Sequence, residues 1–220
     1  THAFNAMLDR LQQYEEDRAT MLAGVAHDLR TPMTRLRLQL ELAGGTRQAD
    51  MARSLDNIEA IVEQFLAFAR QDAAEPRVAH QLDLLLEESL APFTDEANVH
   101  YLAGATCIIP VYANALRRAV VNVVENALEY GDAPVSVSLH IATDWVEIAI
   151  HDHGLGINPA DYARAVRPFT RLDPSRGGKG HCGLGLAIVA QVMHLHGGQV
   201  CLYTPQTGGF TVGLRLPHKD

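Results

Sequence analysis

The sequence predicts two architectures joined end to end, an all-α helical hairpin followed by an α+β sandwich. Three observations predict this. Apolar residues recur every three or four positions through residues 1–72. That pattern stops at a polar stretch ending in proline. Beyond it, helical periods mix with strict apolar–polar alternation, the period of half-buried strands.

Leu22, Val25, Leu29, Met33, Leu36 and Leu40 form one apolar series, and Leu55, Ile58, Val62, Phe65 and Ala69 form a second. Both have the spacing of a helix-bundle seam. Gly44-Gly45-Thr46 separates them, so the pair reads as an αα-hairpin. One hairpin buries little surface alone. Two would complete a four-helix bundle, so a symmetric homodimer is expected. The competing reading is a hairpin packed only on its own C-terminal domain.

Gln71-Asp72-Ala73-Ala74-Glu75-Pro76 marks the boundary, with 73–77 as linker and 78–220 as the second domain. There, Asp83 is placed to cap a helix running to about Phe93, and Ala115–Tyr130 is a strong helical pattern. Val135, Val137, Leu139 and Ile141 alternate, as do Val146, Ile148 and Ile150, with a turn at Thr143-Asp144. Gly183–His196 reads as a helix. Val200–Thr204 and Phe210–Leu216 read as a closing hairpin around Thr207-Gly208-Gly209. Helices mixed with mostly antiparallel strands give the α+β class.

Composition narrows the functions. With 220 residues, 47% of them hydrophobic, the chain has material for a core. A formal charge of -8 argues against nucleic-acid binding, which needs a basic stripe. Cys107, Cys182 and Cys201 are far apart and suit a reducing compartment. No run of about 18 apolar residues is present, so nothing in the sequence reads as a membrane span. The chain opens at Thr1 inside a helical pattern and is read as a cytoplasmic fragment of something longer.

His27 lies two residues after Val25 and two before Leu29, about 200° of rotation from each, so it faces away from the seam. Asp28 follows at once, and Pro32 removes a backbone hydrogen bond near Asp28, loosening the helix there. An exposed imidazole beside a carboxylate can be held through one nitrogen and attack through the other. Further on, Asn122 and Asn126 are four apart on a helix, so their amide oxygens, suited to a hard cation or its waters, share a face. Tyr130 lies four beyond, where its ring is placed to lie against a base. Asp152-His153-Gly154-Leu155-Gly156 follows a strand. A carboxylate there can accept from an amino group, and glycines let backbone approach a ring. Gly177-Gly178-Lys179-Gly180-His181-Cys182-Gly183-Leu184-Gly185 leads into a helix whose free N–H groups and dipole favour phosphate.

Val25-Ala26-His27-Asp28-Leu29-Arg30-Thr31-Pro32 resembles the H-box of sensor histidine kinases, most closely those of the EnvZ osmosensor type. Asn122–Ala127 resembles their N-box, Asp152–Gly156 the G1-box, Pro168–Arg171 the F-box and Gly177–Leu186 the G2-box. The resemblance covers about residues 15–217 with the motifs in order. It implies a dimerisation and histidine phosphotransfer hairpin at 15–72 and a catalytic ATP-binding domain of the Bergerat (GHKL) type at 78–220. Residues 1–14, through Phe4, Met7, Leu8 and Leu11, are similar to the end of a HAMP signalling helix.

By resemblance, His27 is the phosphorylated residue, Asp28 assists it, and Thr31 supports dephosphorylation of the partner. Asn126 is the Mg2+ residue, with Asn122 in support. Asp152, Gly154 and Gly156 receive adenine. Lys179, Gly180, Gly183, Leu184 and Gly185 belong to a phosphate lid. The implied cofactors are ATP and Mg2+. The implied partner is a response regulator, and the full-length protein is expected in the bacterial inner membrane. The sequence departs from the family's pattern in two places. His181 stands where a glycine is common, and Glu129, before Tyr130, stands where a basic residue is common. These departures are the only support for a non-catalytic dimeric scaffold. A chaperone- or repair-type ATPase of the same fold would lack the His27 helix. The 11 histidines allow pH sensing without pointing to it.

Overall fold

The computed structural model describes residues 33, 34, 36, 37, 55, 58, 62, 75–93, 98–104, 106–168, 170 and 183–218. The chain divides into two compact units, one of residues 1–71 and 177–184 and the other of residues 72–176 and 185–220. In the first, Met33, Thr34, Leu36, Arg37, Leu55, Ile58 and Val62 are helical. Met33, Leu55 and Val62 form one buried cluster. Apolar steps from either side of the Gly44-Gly45 break therefore meet, as a hairpin seam requires. Leu36 and Ile58 stay 49% and 46% exposed in the single chain. Leu22, Val25, Leu29, Leu40, Phe65 and Ala69 lie outside the described residues, as do His27, Asp28 and Thr31.

The second unit runs β1 (Val78–Gln81), α1 (Leu82–Leu90), β2 (Val99–Leu102), β3 (Ile108–Val111), α2 (Ala113–Tyr130), β4 (Val135–Ile141) and β5 (Trp145–Asp152). It continues with the single turn α3 (Tyr162–Ala165), α4 (Gly185–Leu195), β6 (Gln199–Tyr203) and β7 (Phe210–Pro217). A five-stranded sheet has the order β2-β4-β5-β7-β6, and β1 pairs with β3 separately. The β2–β4 pair is parallel; the other pairs of that sheet are antiparallel. The expected β4–β5 and β6–β7 hairpins are both present.

Alternation decides which face is covered. Val135, Val137 and Leu139 of β4, Val146, Ile148 and Ile150 of β5, and Val212, Leu214 and Leu216 of β7 are all buried. Helices α2 and α4 pack on each other and on the sheet. On α2 the buried residues are Ala115, Leu116, Ala119, Val120, Val123, Val124 and Ala127, a stripe of one helical face.

Two polar contacts hold α2. Its N-cap residue, Tyr112, has no capping side chain. Glu75, from the linker, supplies the missing acceptor: its carboxylate receives the N–H of Asn114 at 2.8 Å and of Ala115 at 3.3 Å. This satisfies helix-end donors and places negative charge at the positive end of the dipole. Buried His196, just after α4, is the second contact. Its Nδ1–H donates to Val192 O at 2.8 Å, so its Nε2 is free to accept from Tyr112 N–H at 3.0 Å.

Two expectations shift. The helix expected from Asp83 begins at Leu82, with Gln81 as N-cap. Gln81 is still extended, and Leu82, the first helical residue, is fully buried. Asp83 sits within the first turn and accepts from Gln81 Nε2 at 2.8 Å. The helix expected at Gly183–His196 spans Gly185–Leu195, because Gly183 has a positive φ of 72°.

On the other sheet face, Glu147 is buried at 4% exposure. Arg215 donates to its Oε2 from Nε at 3.0 Å and Nη2 at 2.8 Å, and Tyr203 donates to Oε1 at 2.8 Å. The Arg215 guanidinium also lies 4.2 Å from the Trp145 ring centroid. Burial, then the bond to Glu147, pushes the Tyr203 hydroxyl up to about 12. Removing one partner strands a buried charge. Arg215→Met is expected to cost about 2–3 kcal/mol in chemical denaturation. Adding Glu147→Gln should recover part of that loss, because the stranded charge is gone.

Candidate functional site

The site is built where α2, β5 and the start of α4 converge. Strand β5 ends at Asp152, which is 6% exposed. Its Oδ1 accepts the N–H of Gly154 at 2.7 Å. Burial pushes its carboxyl above the ordinary carboxylate range, and the N–H groups of Gly154 and Asp132 pull partly back.

Glycines make this burial possible. A Cβ on Gly131 would collide with the Asp152 carboxylate and with Ala127 O. A Cβ on Gly154 would lie 2.7 Å from Gly131 Cα and 2.9 Å from Asp152 Oδ1. Gly156 has a φ of 65°, and a Cβ there would enter the Phe210 ring. The turn is tied to the end of α2 by His153 N–H donating to Asp132 O at 2.9 Å. Bare backbone thus packs closely around the Asp152 carboxylate.

The asparagines lie one to two turns before the C-terminal end of α2. Asn122 donates from Nδ2 to Arg118 O at 2.9 Å, which fixes its amide. A Cβ on Gly185, the first residue of α4, would lie 3.1 Å from Asn126 Nδ2 and 3.5 Å from Asn122 Oδ1. Both amides therefore face the N-terminal end of α4, where free N–H groups collect. Tyr130 closes α2 and is 39% exposed.

Residues 112–220 match the family described as histidine kinase-, DNA gyrase B-, and HSP90-like ATPase. Residues 17–74 match the His Kinase A (phospho-acceptor) domain. The solved ATP-binding domain of PrrB from Mycobacterium tuberculosis is 31% identical, with a TM-score of 0.55, covering 66% of this chain and 100% of that one. The chain belongs to the sensor histidine kinases. Its relatives include the sensor histidine kinase GtrS of Pseudomonas aeruginosa, 36% identical over 98% of this chain and 45% of the relative. The sensor protein RstB of Escherichia coli is 33% identical over 98% of this chain and 52% of the relative. The histidine kinase domain of the E. coli osmosensor EnvZ is 28% identical, with a TM-score of 0.52, covering 66% of this chain and 91% of that one. The chain spans about half the length of these curated relatives.

The second unit of this sensor histidine kinase is therefore an ATP-binding domain. Of the residues expected from sequence, the structure groups Asp152 with Gly154, and Asn122 with Asn126 and Gly185. Gly183 has the positive φ noted above, and Leu184 is fully buried. Lys179, Gly180, Phe169 and Arg171 lie outside the described residues. Gly131 was missed. Its signal in the sequence, a glycine just after a helix, reads equally well as an ordinary helix stop.

The raised Asp152 value fixes a sign. The folded state binds this proton more tightly than the unfolded chain. Its contribution to stability is fully present below the unfolded value of 3.8 and is lost as pH rises through the raised folded value. An asparagine keeps an acceptor for Gly154 N–H without the buried charge. Nucleotide-free Asp152→Asn is thus expected to melt at or a few degrees above the parent at neutral pH. That advantage should shrink in acid, measured by calorimetry across pH.

Proposed function

We propose that the chain transfers the γ-phosphoryl group of ATP to His27 and then to an aspartate of a response regulator. The observation that carries this reading is the pairing within one domain of a buried carboxylate ringed by glycine backbone and two amides facing a helix start. The phospho-acceptor match at residues 17–74 supplies the other half of the reaction.

In this reading Asp152 accepts from the adenine amino group, Gly154 and Gly156 admit the ring, and Tyr130 lies against it. Gly185, Gly183, Leu184, Gly180 and Lys179 serve the phosphates. The residues fit a hard cation: Asn126, supported by Asn122, is the one to hold Mg2+, which when bound supplies charge neutralisation at the phosphates. The lone pair of a His27 nitrogen forms the new N–P bond as the bond from the γ-phosphorus to the bridging oxygen breaks. ADP leaves with that electron pair, while Asp28 holds the other imidazole N–H. Positioning and electrostatics, more than covalent chemistry by the ATP domain, supply the acceleration. Thr31 supports the reverse control, hydrolysis of the phosphorylated regulator.

The reading includes a homodimer, in which a second copy covers Leu36 and Ile58, and a place on the cytoplasmic side of the bacterial inner membrane. No helix among the described residues is long and apolar enough to cross a membrane.

Incubation with Mg2+ and γ-labelled ATP tests the proposal. Acid-labile, base-stable label is expected on the intact protein and none on His27→Gln. Asp152→Asn should lower ATP affinity about tenfold or more, since a charged hydrogen bond is lost. ATP bound normally without any label would favour a non-catalytic scaffold.

A further inference from the structure

Glycines in this domain answer two different needs. Gly197 and Gly208 have positive φ values, and a Cβ on either would meet nothing within 4 Å. They serve the path of the chain. Gly131 is the opposite case. Its φ of −93° and ψ of −168° are extended backbone that any residue adopts. Its surroundings are what exclude a side chain. A Cβ there would collide with Asp152 Cγ and would lie 2.5 Å from Asp152 Oδ1 and 2.6 Å from Ala127 O.

Asp152 has little freedom to step aside. It is buried, and its Oδ1 is held by Gly154 N–H at 2.7 Å. A side chain at 131 therefore displaces either that carboxylate or the last turn of α2. To reach ordinary van der Waals separation from 2.5 Å, one of the two has to move by roughly 1 Å. A donor–acceptor distance of about 2.9 Å lengthened by that much is past the limit of a hydrogen bond.

We propose that Gly131 is a positioning residue for base recognition: its missing side chain sets where the Asp152 carboxylate stands, and through it the preference for a base that carries an amino group. This rests on the ATP-binding reading given above, in which Asp152 accepts from the adenine amino group. Asp152→Asn changes the acceptor itself. Gly131→Ala leaves the carboxylate intact and changes only its placement. The base preference is therefore shared between a strand end and a helix end that meet only in the folded domain.

The test compares ADP with purine riboside diphosphate, the same nucleotide without the amino group. It uses isothermal titration calorimetry on the whole chain with Mg2+. Neither ligand carries a γ-phosphoryl group, so binding is read without transfer to His27. The parent should prefer ADP by about tenfold or more, as expected for a hydrogen bond to a charged group. Gly131→Ala is expected to cut that preference to about twofold or less, mostly by weakening ADP. A merely structural role weakens both nucleotides alike and leaves the preference as it was, and that result overturns the proposal. Thermal melts give a second readout. Removing the carboxylate removes the collision, so Gly131→Ala should lower Tm at most about half as much in the Asp152→Ala background as in the parent. Equal losses in the two backgrounds, or an unfolded chain in both, place the conflict at Ala127 and overturn the proposal. A parent that binds the two nucleotides equally, or binds neither, overturns instead the assignment of adenine to Asp152.

Discussion

Asp152 carries a charge that the fold has almost removed from water, and a carboxylate so placed survives only where donors reach it. Those donors are backbone N–H groups from the turn that follows β5 and from the residue after Gly131. The geometry of that corner follows. Helix α2 ends at Tyr130, because its next residue must be a glycine lying against the carboxylate. Gly154 must lack a side chain so that two backbone segments can touch. Phe210 pairs with Asp152 across the sheet, and its ring occupies the space a side chain on Gly156 would need. The corner is therefore set by one buried charge and by the glycines that let backbone close around it.

The other buried polar groups of this domain are handled differently, and the contrast is informative. Glu147 is neutralised by a two-pronged arginine and a tyrosine hydroxyl. His196 uses both ring nitrogens on backbone groups, which joins the end of α4 to the start of α2. Those groups have their compensation built in. Among the described residues Asp152 receives neutral N–H donors and no arginine or lysine, and burial holds its carboxyl shifted upward. A buried acceptor that its neighbours compensate only in part is a candidate to take a donor from a ligand.

The periodic elements were legible in the sequence because their apolar residues keep the period of the element they form. Helix α2 has a single apolar stripe, and β4 and β5 alternate cleanly. The short strands were not. Val-Ala-His-Gln of β1 has no alternation to read, and β3 contains Pro110, which argues against a strand except at an edge. Strand β2 pairs in parallel with β4, a contact between segments more than 30 residues apart that no local pattern encodes. Within the site, Asp152 and the two asparagines were legible as chemistry at a strand end and on a helix face. Gly131 and Glu75 were not, because their roles depend on partners distant in sequence.

Glu75 bears on where the second domain begins. The sequence reads 73–77 as a linker, and two of its residues bond to the domain that follows. Glu75 caps α2 through two N–H groups, and Arg77 donates from Nε to Pro110 O at 3.1 Å. Both residues are bonded to the ATP-binding domain. The helix held by Glu75 is also the one that bears Asn122 and Asn126. The cap lies about two turns from Asn122 and about three from Asn126, the amides that face α4. The linker contact and the amides that face α4 therefore sit on one helix.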